Sequence, residues 1–172
     1  MPSGFPAWTI PFTTMTFKDF VEDWTRQHRL IYHDPNNFNK RFFLVRDIAA
    51  IPDFTRTLPD NASPCILFDM MYDAHYYSDG QRECTYTIYF MGQAGQGTNL
   101  PDENEAVMHT FAQEHRIIQD FRKYCEESND LRRRNVPQID TYFRTFPYGP
   151  LLNGWYATGV TINVVEAIDC ID

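Results

Sequence analysis

The sequence predicts an α+β fold: an antiparallel sheet, open to mixed pairing, of about five strands, with two main helices packed on one face. Apolar residues recur at helical spacing in two segments, one after Thr16 and one after Asp102. They alternate with period two in the middle and at the end of the chain. The resulting order is helix, three strands, helix, two strands, so strands follow one another in runs instead of alternating with helices.

Residues 1–15 carry Pro2, Pro6 and Pro11 among aromatics with no clear period and read as an extended arm, followed by a single α+β domain over 16–172. Thr16 with Asp19 three residues on forms a capping pattern. Phe17, Phe20, Val21 and Trp24 follow at helical spacing, so the first helix is expected from Phe17 to about Leu30. The asparagines and Asp34-Pro35 of "YHDPNNFNK" end it. "RFFLVRDI" then reads as a strand, "PDFTRTLPDNASP" as a loop and "PCILFDMMYDAHYY" as a second strand. In "RECTYTIYFM" Cys84, Tyr86, Ile88 and Phe90 share one face, while Thr85, Thr87, Tyr89 and Met91 share the other. Asp79-Gly80 between the last two is a hairpin signal, so the middle of the chain is expected to be an antiparallel meander.

Asp102 with Glu105 repeats the capping pattern and opens a long helix over 103–127. Its apolar stripe is Val107, Phe111, Ile118, Phe121 and Cys125, interrupted by Glu114. "IDTYFRTFPYG" and "GWYATGVTINVVEAID" form a second hairpin, with Val160, Ile162, Val164 and Ile168 on one face and Thr161 and Asn163 on the other.

A chain of 172 residues can bury a core without metal or disulfide staples, and its 16% aromatic content means that rings must build much of that core or of an interface. The net charge of −8 opposes general nucleic-acid binding. The one basic run, Arg132, Arg133 and Arg134, suits a helix end, a solvated surface or an acidic partner subunit. No membrane span and no signal peptide is read from the sequence, so cytoplasm is the default location. Cys65, Cys84, Cys125 and Cys170 are widely spaced, form no C-x-x-C pair and read as buried thiols. No cofactor is indicated.

The stretch "GQAGQG" has Gly92, Gly95 and Gly97 in the wrong order for a nucleotide-binding loop, with no lysine after them. Asp102, Glu103 and Glu105 also crowd the helix start that a phosphate would occupy, so a supple strand-to-helix crossing is expected. His109 and His115 are six residues apart and fall on different helix faces; Glu105 and His109 face each other as a surface pair. Asp69, Asp73 and His75 share strand parity and form the one constellation suited to a metal-dependent or acid–base hydrolase. The plainer reading is a polar, solvent-facing strand side, since Ile66, Phe68, Met70 and Tyr72 lie opposite. Tyr72, Tyr76, Tyr77, Tyr86 and Tyr89 offer a further alternative, a stacking platform for sugar rings in a carbohydrate-binding module.

The order of elements, with "LIYHDPNNFNKRFFLV" after the first helix, the long helix from 103 to 127 and the closing "LLNGWYATGVTINVVEAIDCID", resembles the tail-completion or tail-terminator proteins of long-tailed bacteriophages and prophages. The resemblance implies a small α+β domain that assembles as a ring at the end of a tail tube, in a virion or in the cytoplasm of a bacterium carrying the prophage. It implies a non-enzymatic structural role and brings no catalytic residues. Expected partners are other copies of the chain and other tail- or head-completion proteins, without direct nucleic-acid binding and without a membrane. Phe5, Trp8, Gly92, Gly95, Gly97 and Arg132 to Arg134 are the expected assembly contacts, because a ring requires two different complementary patches.

Overall fold

The computed structural model describes residues 15–36, 39–59, 61–77, 81–95, 103–130 and 137–167. Phe5, Trp8, Gly97, the Arg132 to Arg134 run, Ile168 and Cys170 lie outside the described residues. The fold is α+β, with helices α1 (Phe17–Gln27), α2 (Ile51–Thr55) and α3 (Glu103–Asp130). Its strands are β1 (Phe42–Val45), β2 (Cys65–Asp69), β3 (Asp73–Tyr76), β4 (Gln81–Gln93), β5 (Gln138–Ile139), β6 (Arg144–Tyr148) and β7 (Trp155–Ala167).

All seven strands form one mixed sheet in the order β1-β2-β4-β7-β5, with β3 also on β4 and β6 also on β7. The expected five-stranded antiparallel sheet is thus corrected in two respects. First, β1 and β2 run parallel, Phe42 opposite Ile66. The segment read as a loop between them contains α2, with proline in its first turn where the missing N–H costs nothing. Every residue of β2 is buried, as in a strand covered on both faces, which explains its unbroken apolar run.

Second, two expected strands are each broken in two. Between the pairs Phe68–Ile88 and Asp73–Thr85 the outer strand spends five residues while β4 spends three. The same excess of two residues separates Ile139–Val164 from Arg144–Thr161 along β7. Both inserts are even in length, so they bend the edge without exchanging the two faces. The central pair β4 and β7 stays in unbroken antiparallel register from Gln81–Ala167 to Gln93–Trp155.

The predicted cap of α1 forms, with the Thr16 hydroxyl accepting from Asp19 N at 3.2 Å. The helix stops at Gln27, short of Leu30, because His28 turns to an extended ψ of 123°. Tyr32, at φ 49°, then reverses the chain. Helices α1 and α3 cover one face of the sheet, where Phe17, Phe20, Trp24 and Phe121 join Cys84, Ile88, Phe90 and Val160 in the main core. Rings fill it, with Trp24 and Phe121 at 4.7 Å and Phe17 and Tyr86 at 5.0 Å. A smaller core on the opposite face joins Ile51 of α2 to Leu67, Tyr89, Met91 and Trp155. That second core stops at Tyr89. Farther along the same face Thr87, Thr85 and Glu83 are half-exposed.

Candidate functional site

The proposed acidic constellation is not drawn together. Asp69 ends β2 nearly buried, and its Oδ1 accepts from Met71 N at 2.9 Å, so it shapes the bend before β3. Asp73 and His75 lie beyond that bend, exposed, opposite Thr85 and Glu83 of β4. Among the described residues no three His, Cys, Asp or Glu side chains stand close enough to hold a metal ion. Tyr86 and Tyr89 are core residues at 5% and 1% exposure, which removes them from the five-tyrosine platform. Tyr72 and Tyr76 remain exposed.

Gly92 is likewise placed differently from the expected crossing. It is a buried residue of β4 beneath α3, where an added Cβ would lie 2.7 Å from Thr110 Cγ2. Close approach of helix and sheet requires glycine there, and this site is not open to a subunit contact. Gly95, at φ +86°, makes the turn that leaves β4 and is exposed. Cys65, Cys84 and Cys125 are free and buried as expected, and burial pushes their thiols up.

The groups that sequence reasoning passed over are buried charges at core positions. Helix α3 turns Ala106, Thr110 and Glu114 toward the sheet. Val107 and Phe111, expected on that stripe, sit half-exposed at its flank, with Phe111 against Tyr156 at 5.6 Å. The small residues allow the helix to settle over Gly92. They also carry Glu114 into the interior, at 1% exposure. Its Oε2 accepts from the Thr158 hydroxyl at 2.6 Å, while Oε1 has no hydrogen-bond partner. Burial pushes the Glu114 carboxyl up to about 8, partly offset by Thr158 and the nearby Gly92 amide. Beside it, α3 and β6 enclose a cleft of about 400 Å³, with Met108, Phe111 and His115 on one wall and Thr145 and Pro147 on the other. Thr158 faces the cleft and links it to the carboxyl, so the arrangement can hold a proton next to an apolar recess.

A second buried cluster joins the sheet to the start of α1. Arg82 and Glu166 are direct register partners on β4 and β7, both core-facing by parity, and only 6% and 3% exposed. Arg82 Nη2 and Nε donate to Glu166 Oε2 at 2.8 and 3.2 Å. The Tyr86 hydroxyl donates to the same carboxylate at 3.1 Å, and Phe17 N, in the first turn of α1, donates to Oε1 at 3.1 Å. Burial works against the Arg82 charge, but the Glu166 hydrogen bonds and charge outweigh it and raise its pKa. This carboxylate also occupies the positive end of a helix dipole. Each partner is satisfied, and the cluster reads as a structural clamp. Its sequence signal was available: Arg82 shares parity with Cys84 and Tyr86, and Glu166 with Ile162 and Val164.

No protein-family model matches the chain, and no curated protein matches it. No helix among the described residues is long and apolar enough to cross a membrane.

Proposed function

We propose that the chain is a non-enzymatic structural subunit that assembles into a ring, of the kind that completes a phage-like tail or head–tail junction, in a virion or in a bacterial cytoplasm. The observation that carries this reading is the uncovered half of the sheet. On the face opposite α1 and α3, Asp73, His75, Glu83, Thr85, Thr161 and Asn163 form a half-exposed to exposed surface beyond the end of the second core. At its rim the bend between β2 and β3 presents Met71 at 68% exposure. Such a polar surface, with Met71 at its edge, suits contact with another subunit through hydrogen bonds and complementary charge.

A heterologous ring contact needs a second, different patch. The first fourteen residues with Phe5 and Trp8, the crossing at Gly95 and Gly97, and the Arg132 to Arg134 run supply candidates. The arginines complement Asp73 and Glu83 in charge. Partners are other copies of the chain and other tail- or head-completion proteins. The hydrolase and carbohydrate-binding alternatives gain no comparable support, because Asp69 is engaged by Met71 N and Tyr86 and Tyr89 belong to the core.

The test is light scattering coupled to size exclusion over a wide concentration range, with negative-stain imaging of the heaviest peak. A ring, or a mass that grows with concentration and falls in the Asp73→Lys, Glu83→Lys variant, is expected. A strict monomer at every concentration, with no ring in the images, would sink the reading.

A further inference from the structure

The cleft between α3 and β6 has the make-up of a small-molecule site. Met108, Phe111 and His115 follow one another at helical spacing, so a single row of α3 forms one wall. Facing them are Thr145 and Pro147 of β6, held in register with Val160 and Thr158 of β7. Thr158 shares strand parity with Val160 and Ile162 of the main core, so its side chain rises from the sheet toward α3. The space measures about 400 Å³, within the range of ligand sites, and none of the residues lining it is Asp, Glu, Lys or Arg. Phe111 is backed by Tyr156, with ring centroids 5.6 Å apart, while Met108 is apolar yet exposed. A ring, a thioether and an imidazole facing a proline suit a flat aromatic guest.

The polarity of the Thr158 hydroxyl is set from beneath. Glu114 lies three residues after Phe111, on the neighbouring, buried row of α3. Thr158 donates to its Oε2 at 2.6 Å. With its proton committed there, the hydroxyl keeps lone pairs and can only accept from anything that enters the cleft. The other carboxyl oxygen, Oε1, is buried without a partner. An apolar side chain at position 114 would avoid that cost. The carboxyl instead gives an otherwise apolar recess one acceptor of fixed direction.

We propose that this cleft binds a flat, uncharged aromatic molecule that donates one N–H or O–H hydrogen bond to the Thr158 hydroxyl. A charged guest would find no counter-charge in the lining, and a purely apolar one would cover the Thr158 oxygen without bonding it. The cleft opens on the α3 face of the sheet, whereas Asp73, Glu83 and Asn163 lie on the opposite face. The two surfaces are separate, and the site stands whether or not the protein forms rings.

The probes are indole and benzofuran, bicycles of closely similar shape of which only indole carries an N–H. Each is titrated into isotope-labelled protein and followed through the backbone amides by NMR. Indole is expected to shift Phe111, His115 and Thr158 and to bind roughly tenfold more tightly than benzofuran. Thr158→Val should abolish that preference. Because this change also strips Glu114 Oε2 of its partner and lowers stability, Thr158→Ser accompanies it and should retain the preference. Thr145→Trp, at an exposed position of β6, should fill the cleft and prevent binding of both probes. No shift with indole up to its solubility limit, equal affinity for the two probes, a preference that survives Thr158→Val, or binding that survives Thr145→Trp overturns the proposal. Light scattering on the same samples reports on ring formation separately.

Discussion

A carboxyl group with one hydrogen bond and no counter-ion, as at Glu114, meets the cost of burial by keeping its proton. Its pH dependence follows in sign. Below about 4.5 the carboxyl is protonated in both folded and unfolded chains and costs nothing. Between there and about 8 only the unfolded chain ionises, so stability declines as pH rises, and above about 8 the loss is complete. Glu114→Gln should remove this decline. Its melting temperature relative to the parent should rise between pH 5 and pH 8 by the equivalent of about 3 kcal/mol; parallel melting curves across that range would show that Glu114 is charged in the fold. Arg82 presents the opposite case, a buried charge that keeps its partner. Arg82→Met leaves the Glu166 carboxylate without its cation and should cost about 3–5 kcal/mol in denaturant unfolding, whereas a loss under 1 kcal/mol would place the pair in water.

Among the elements, those whose determinants are local were legible and those that depend on the rest of the fold were not. The cap at Thr16 is a contact three residues long, and the sequence shows it; Thr16→Ala should cost about 1 kcal/mol of stability in thermal melts. The alternation in β4 was equally plain, because one of its faces meets helices along its length. The breaks in the outer strands left no signal, since an insert of two residues preserves parity. The rotation of α3 that buries Glu114 was hidden for another reason. Val107 and Phe111 are more apolar than Ala106 and Thr110, yet the smaller pair faces the sheet because Gly92 allows close approach. Of the candidate site, the Asp73 and His75 strand side was correctly polar, but the bend that occupies Asp69 could not be read from spacing. β7 carries a similar fit. The Phe146 ring lies over Gly159 where a Cβ would collide with it, so Gly159→Ala should destabilise by about 1–3 kcal/mol, with calorimetry as the check.

At the scale of the molecule, two long strands carry the sheet and everything else is arranged on them. β4 and β7 hold α1 and α3 on one face, α2 at one end of the other, and a broken strand at each outer flank. The Arg82–Glu166 clamp joins residues 84 apart in the chain and ties this frame to the start of α1, where Phe17 stands 149 residues before Glu166. β7, which completes the frame, leaves a ribosome long after β4. Until its final residues emerge, β4 waits with one edge unpaired and its apolar face only partly roofed. Folding of this chain is therefore dominated by distant pairing, and between the emergence of β4 and that of β7 the nascent polypeptide passes through a long interval in which it can stick to its neighbours.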